Sequence, residues 1–435
     1  ATPTPPPTGS PYILASAGDI TIRQPIVAPS VSLTAGGRLD VNSSIQTGGF
    51  TFSAGRDSSI SGPITANTLN GNVQGDLTIN RTLNVDRITL DLTGVLNYSA
   101  PLVAATANGT FTMAPAAGRQ LTIFAQSIDL NMIGGGDSGG DEHSGGGRSD
   151  QAPITLNGGD ANFFSRFGGG DGGILNLGTV DRPLSGDINV NAPISATTGR
   201  NALGVAFGGD GGTVSLVSNN KVMVNDQIKV SDSAFGRASR KGGKIIIDSR
   251  QTNGVAVQIK SSAQLLALLS NAAPGPGGTI KITSTGGDIK MDGTAIADRG
   301  TVEIRNDGAS GQISMKDATL RGDVVKIGAL GNNGTLTIDG GNISADSLIK
   351  LYAGGSNGTV LFKNNVTLSG NSFKTIAGNT VTIVNGKFVT VLGPGPANVF
   401  TNHPNYTGFG GNASTTGTFL GQGATTQPLN AAPGY

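Results

Sequence analysis

The sequence predicts an all-β fold, a single-stranded parallel β-helix with three short strands in each coil, and three observations predict it. A motif recurs at a period near 20 residues, apolar and polar residues alternate within each copy, and 70 of 435 residues are glycine without the every-third-residue spacing of collagen. Gly18-Asp19-Ile20-Thr21-Ile22 returns as Gly37-Arg38-Leu39-Asp40-Val41 and as Gly75-Asp76-Leu77-Thr78-Ile79, with a weaker copy from Gly55 to Ile60. Short strands with one apolar face cannot stand alone. Stacking coils about 4.8 Å apart pairs each strand with its copies and creates the core.

Two further series interleave with the first. Pro25-Ile26-Val27, Ser44-Ile45-Gln46, Pro63-Ile64-Thr65 and Thr82-Leu83-Asn84 form the second strand of the coil, and Val31-Ser32-Leu33, Phe50-Thr51-Phe52 and Ile88-Thr89-Leu90 the third. Ile20, Ile22, Leu39, Val41, Leu77 and Ile79 are the inward set of the first strand. In the C-terminal half the coils lengthen. One register there runs through Gly287-Asp288-Ile289-Lys290-Met291, Gly311-Gln312-Ile313-Ser314-Met315, Gly334-Thr335-Leu336-Thr337-Ile338, Gly358-Thr359-Val360-Leu361-Phe362 and Gly378–Ile383. A second, half a coil away, runs through Gly278–Ile282, Gly300–Ile304, Gly322–Ile327 and Ser347–Leu351.

The body therefore spans residues 12–392, and at about 22 residues per coil it amounts to about 17 coils and a rod about 80 Å long. Glycine marks the corners, where tight turns call for positive φ. Residues 133–150 and the Gly168–Gly173 and Gly208–Gly212 tracts are too polar for core, so the glycine-rich insertions around 133–173 and 205–245 are expected to be corner loops. Leu265, Leu266, Leu268 and Leu269 make residues 262–270 the one expected helix, packed against the rod. The general preference for right-handed crossovers makes the right hand the expectation.

The ends differ from the body. Residues 1–11, with Pro3, Pro5, Pro6 and Pro7, read as an extended polyproline-like tail, and residues 393–435 lose the coil period in a Gly/Asn/Thr-rich segment carrying Phe400, Tyr406, Phe409, Phe419 and Tyr435. The start at Ala1-Thr2-Pro3 has the look of a mature terminus left by signal peptidase, which points to secretion. Charged residues make up only 13% of the chain at a net +1, so no overall field points to nucleic acid. There is no cysteine, hence no disulfide and no thiol chemistry, and no apolar run long enough for a transmembrane helix.

The alternation of Gly-Gly or Gly-Asp corners with Thr-Ile-x-Ile-type strands, across roughly residues 12–392, resembles the filamentous haemagglutinin type of bacterial β-solenoid adhesin. The resemblance implies a right-handed parallel β-helix exported to the surface of a bacterium with an outer membrane, serving in adhesion or as an extracellular fibre. The family's Asn-Pro-Asn-Gly-type secretion motif has no counterpart here, since the chain contains no Asn-Pro dipeptide.

Parallel β-helices also include polysaccharide lyases and hydrolases, whose chemistry needs convergent carboxylates or a calcium site beside a basic residue. No Asp-Asp pair or Gly-His-Gly occurs, and the two histidines, His143 and His403, fall in a loop and a tail, so no catalytic residue and no cofactor are expected. Asp137, Asp141 and Glu142, with Asp150, are weak calcium candidates; their spacing matches neither an EF-hand loop nor a nonapeptide calcium repeat, and a solvated loop is the competing reading. Arg237–Lys241 with Lys244 is the one basic cluster, suited to a phosphate or an acidic polysaccharide, with an exposed corner or a contact to an acidic loop of another copy as the competing reading. Arg321-Gly322-Asp323 matches an integrin-recognition tripeptide that glycine-rich composition supplies cheaply. Outward Thr-x-Thr pairs of the ice-binding kind are interrupted by Lys281, Lys290, Glu303 and Lys326.

The end coil of such a rod exposes unpaired backbone and apolar core, which call for a cap or for another chain. The expected function is a structural subunit that assembles end to end into an extracellular fibre or surface layer, with Pro5, Pro6, Pro7, Tyr12, Phe400, Tyr406, Phe409, Phe419 and Tyr435 at the subunit contact. The competing class is a monomeric secreted adhesin or carbohydrate-binding β-helix, with cell-surface polysaccharide as partner; a polysaccharide lyase or hydrolase comes third.

Overall fold

The computed structural model describes residues 9–98 and 172–392, apart from 198–209, 232–240, 270–275 and a few single or paired positions, together with the separate strands Gln120–Phe124, Ser127–Leu130, Ile154–Thr155, Ala397–Thr401, Thr418–Leu420 and Thr425–Gln427. Every described element is a strand and every pairing is parallel. The chain winds as a β-helix, each coil crossing three faces in turn.

The first face is a sheet of fourteen strands among the described residues, from Ile20–Ile22 through Leu39–Val41, Ser58–Ile60 and Leu77–Ile79 to Thr380–Ile383. Ile20 pairs with Leu39, nineteen residues on, and the later register Ile289–Ile313–Leu336–Val360–Val381 is the one that the repeats predict. The second and third faces belong to one 23-stranded sheet, because in the early coils they run on as single strands of ten residues, such as Ile26–Ala35 and Ile45–Ala54. In Ile26–Ala35 the alternation breaks at Pro29 and Ser30, both exposed, and this break is the corner between the two predicted strands. The third face stacks sixteen strands, from Tyr12–Ser16 to Thr425–Gln427, a height of about 70 Å at the rise of a sheet. That is shorter than about 80 Å because middle coils are long: Ile128 pairs directly with Ile188, sixty residues on.

Three sequence details acquire a physical cause. The aspartate of the Gly-Asp corner accepts the backbone N–H at the equivalent position of the next coil: Arg38 N–H donates to Asp19 (2.8 Å), Asp76 N–H to Asp57 (2.8 Å) and Lys221 N–H to Asp187 (3.2 Å). The degraded copy of the motif places Ser58 in the column of Ile20, Leu39 and Leu77, and its buried hydroxyl donates to the Arg56 carbonyl (2.9 Å) while accepting the Leu39 N–H (3.0 Å). Paired glycines open the third face coil after coil, and at Gly212 a Cβ would lie 2.3 Å from the Ala196 carbonyl oxygen, so the backbones of neighbouring corners meet without room for a side chain.

The inward columns form one continuous core of Ile, Leu, Val, Ala and Phe. Where the third face turns toward the first, the inward column becomes polar: Ser218, Ser249, Ser284 and Asn306 are all fully buried and stacked in register. Each serine hydroxyl accepts the N–H two residues on and donates to a carbonyl, so a buried polar atom closes each turn. Asn306 does the same with a longer arm, donating to the carbonyls of Gly287 (2.9 Å) and Gln312 (3.2 Å) and accepting Gly308 N–H (2.9 Å).

The expected helix at 262–270 is instead a strand, Gln264–Leu268. Ala263, Leu265 and Ala267 are buried and alternate with outward Gln264, Leu266 and Leu268, and the segment pairs with Ile228–Ser231 below and Thr294–Ala297 above. The apolar run had residues on both faces, and the ladder on either side decides between helix and strand. The C-terminal segment 393–435, expected to leave the coil period as an extended tail, carries three strands that continue the rod: Ala397–Thr401 on Phe373–Ala377, Thr418–Leu420 on Phe388–Thr390, and Thr425–Gln427 on Asn398–Phe400.

Candidate functional site

The N-terminal end of the rod is built from Tyr12–Ser16 on the third face, Ile20–Ile22 on the first and the beginning of Ile26–Ala35 on the second. In a parallel ladder alternate residues bond to alternate neighbours. Gly36 N–H donates to the Ser16 carbonyl, Ile20 N–H to that of Arg38 and Ile26 N–H to that of Ser44, so the even-numbered residues of this coil bond to the coil above. The odd-numbered residues Ile13, Ala15, Thr21 and Val27 face the other way, and among the described residues no strand pairs with them there. Their side chains also point outward: Ile13 is 76% exposed and Val27 58%, two of the most exposed large apolar residues described. Pro25 and Pro29 flank Val27 without an N–H to offer.

Tyr12, expected at a subunit contact, is buried at this end of the core, opposite Val31, and burial raises its phenol above the ordinary tyrosine range. Phe400 and Phe419, also expected there, sit in strands of the rod's own sheet, at register positions beside Ile376 and Val389, because the ladder at the C-terminal end extends further than composition indicated. Past Thr380–Ile383 the first face has no further described strand, whereas the second and third continue for two strands each. Pro5, Pro6, Pro7, Tyr406, Phe409 and Tyr435 lie outside the described residues, as do Asp137, Asp141, Glu142, His143 and His403.

Among the described residues no three His, Cys, Asp or Glu side chains come together as metal ligands. No described helix is long and apolar enough to cross a membrane. Of the basic cluster, Lys241 is held by its N–H on the Asp210 carboxylate (3.1 Å), and Lys244 starts a third-face strand between Thr213 and Thr279; Arg237–Arg240 lie outside the described residues. Arg321-Gly322-Asp323 crosses a corner with both charged ends engaged, Arg321 at 3.4 Å from Asp298 and Asp323 accepting the Ser347 hydroxyl.

The interrupting charges on the third face form a single outward column, Lys281–Glu303–Lys326–Lys350–Lys374. Lys350 is only 5% exposed, and burial first, then repulsion from Lys326 and Lys374, lowers its ammonium below the ordinary lysine range.

Two open grooves follow corners of the rod. One, about 490 Å³, lies at Ser344–Asp346, Ser369–Asn371 and Leu392. The other, about 660 Å³, lies where the third face turns to the first, over Asp187, Asn219–Lys221 and Arg250–Asn253.

No family model, curated protein or solved structure matches this chain. The likeness to filamentous haemagglutinins thus rests on the style of the repeat alone.

Proposed function

We propose that the chain is a structural subunit of an extracellular fibre or surface layer, in which the first coil of one copy stacks on the last coils of the next. The observation that carries this reading is the N-terminal edge, unpaired among the described residues, where the residues with outward-facing backbone groups, Ile13 and Val27, also carry exposed apolar side chains. Edge strands in monomers are blunted with charge or proline; Pro25 and Pro29 stand beside Val27 on the second face, whereas the outward residues Ile13, Ala15 and Thr21 of the third and first faces carry neither device. The two ends present different surfaces, so their contact is heterologous and does not close on itself, which yields a filament. Residues 1–11 and the end strands within 393–435 make the contact. Export to a bacterial surface belongs to the same reading, through the haemagglutinin-like repeat.

The test is negative-stain electron microscopy with light scattering on the full chain, beside Ile13→Lys/Val27→Lys and a deletion of residues 1–11. Filaments with an axial repeat of about 70 Å that give way to folded single rods in both variants support the reading. Uniform single rods of the wild type at micromolar concentration sink it and hand the case to a monomeric adhesin.

A further inference from the structure

Independently of how copies assemble, the larger groove has the build of a ligand site. Its floor consists of three successive corners stapled together by two fully buried serines. Asn220 N–H donates to Ser218 Oγ (2.9 Å), which donates to the Gly186 carbonyl of the coil below; Gln251 N–H donates to Ser249 Oγ (3.2 Å), which donates to the Asn220 carbonyl (2.6 Å). Asp187 adds a further tie by accepting the Lys221 N–H. The backbone beneath the groove is thus fixed before anything binds.

The wall is fixed as well. Arg250 donates to the Val180 carbonyl and lies 4.0 Å from Asp248, and the Gln251 carboxamide donates to the Asn253 carbonyl. The corner Arg250–Gly254 is longer than Asn219–Lys221 before it, so it overhangs the shorter one and makes the concavity. Above it Gly286 packs so closely that a Cβ would lie 2.6 Å from the Thr252 Cα, which holds the overhang down.

Against this rigid frame, three side chains have no partner among the described residues: the carboxamides of Asn219 and Asn220, both exposed, and the ammonium of Lys221. A pair of carboxamides offers four N–H donors and two carbonyl acceptors, a set that matches the vicinal hydroxyls of a sugar ring, while a point cation matches a carboxylate. Three coils span about 10 Å, the length of a di- or trisaccharide, and a volume of about 660 Å³ accommodates one. We propose that this groove binds an acidic oligosaccharide, a uronate carboxylate on Lys221 and ring hydroxyls on Asn219 and Asn220.

The experiment is calorimetric titration of the full chain with a triuronate, using a neutral trisaccharide of the same length as control, for the wild type, Lys221→Gln and Asn219→Ala/Asn220→Ala. Thermal melts of all three proteins verify that the substitutions leave the fold intact. Expected are saturable binding of the triuronate by the wild type, weakened by added salt, and an affinity about tenfold lower in each variant, the worth of a charge-assisted or paired hydrogen bond. Absence of saturable binding by the wild type, equal affinity for the neutral sugar, or variants that bind as the wild type does would each overturn the proposal.

Discussion

Gly71 stands in the core column between Phe52 and Leu90, and a Cβ on it would lie 2.3 Å from the Phe52 Cζ. Phe50 and Phe52, one coil down and 5.2 Å apart between ring centroids, fill more than their own level, and the coil above yields a side chain to them. The third-face repeat skips this coil for that reason: Leu69-Asn70-Gly71 ends on a residue with nothing to bury. Gly71→Ala should cost about 1–3 kcal/mol through overpacking, and Phe52→Leu in the same chain should recover part of that cost. Urea unfolding of the two single variants and the double variant measures the coupling; additive costs would show that ring and glycine are independent.

Asn306 closes its turn with three hydrogen bonds where Ser249 and Ser284 close theirs with two each. Asn306→Ala leaves the carbonyl of Gly287 with only the Ser284 hydroxyl and strands the Gly308 N–H in a buried turn, at a cost of about 1–3 kcal/mol. Asn306→Leu should cost more, since Gly311 packs against the carboxamide so closely that its own Cβ would lie 2.1 Å from Oδ1. Chemical denaturation ranks the two. Equal stability of Asn306→Ala and wild type would mean that water replaces the amide.

Much of this fold is legible in the sequence because a solenoid repeats its local physics. Ile20, Leu39 and Leu77 declare a column by spacing alone, and the registers of the C-terminal half can be read the same way. The polar inner column is visible too, once register is known, as the Ser or Asn that ends Thr213–Ser218, Lys244–Ser249, Thr279–Ser284 and Thr294–Asn306. What the sequence hides is set by neighbours distant in the chain. Leu265 and Leu266 become inward and outward only through Ile228 and Ala295. Gly71 looks like a turn until Phe52 is placed beneath it. The groove at Asn219–Lys221 arises from a difference in length between successive corners, which no single motif records.

Lys350 gives the rod a pH dependence. Its pKa is lowered in the folded state, by burial and by Lys326 and Lys374, so the unfolded chain binds that proton more tightly. Its contribution to stability is therefore fully present above the ordinary lysine value of 10.5 and is lost as pH falls through the folded value. The wild type should gain stability relative to Lys350→Met as pH rises from neutral toward 10.5; Tyr12, whose raised pKa acts the opposite way, is common to both and cancels. Urea midpoints of the pair at several pH values test this. Parallel curves would place the amine in water.

The corner from the first face to the second shows what glycine contributes at one position of the coil. Asp317 and Gly340 occupy that corner in successive coils, one step beyond the pair Lys316 and Asp339, with φ of 51° and 87°. A left-handed residue with a side chain carries about 1–2 kcal/mol of strain that glycine avoids. Asp317→Gly should therefore hold stability level or raise it by up to about 1 kcal/mol, the relief of strain being offset by the greater freedom of the unfolded chain. Gly340→Ala should lower it by about 1–2 kcal/mol or more, since its Cβ would also lie 2.4 Å from the Asp317 Oδ1. Combining the two, Asp317→Gly/Gly340→Ala, removes that contact and isolates the backbone cost. A double variant as stable as the single variant Asp317→Gly would mean that the coil can shift to accept either residue, whereas a loss of about 1 kcal/mol relative to Asp317→Gly would locate the requirement in the φ angle of the corner itself.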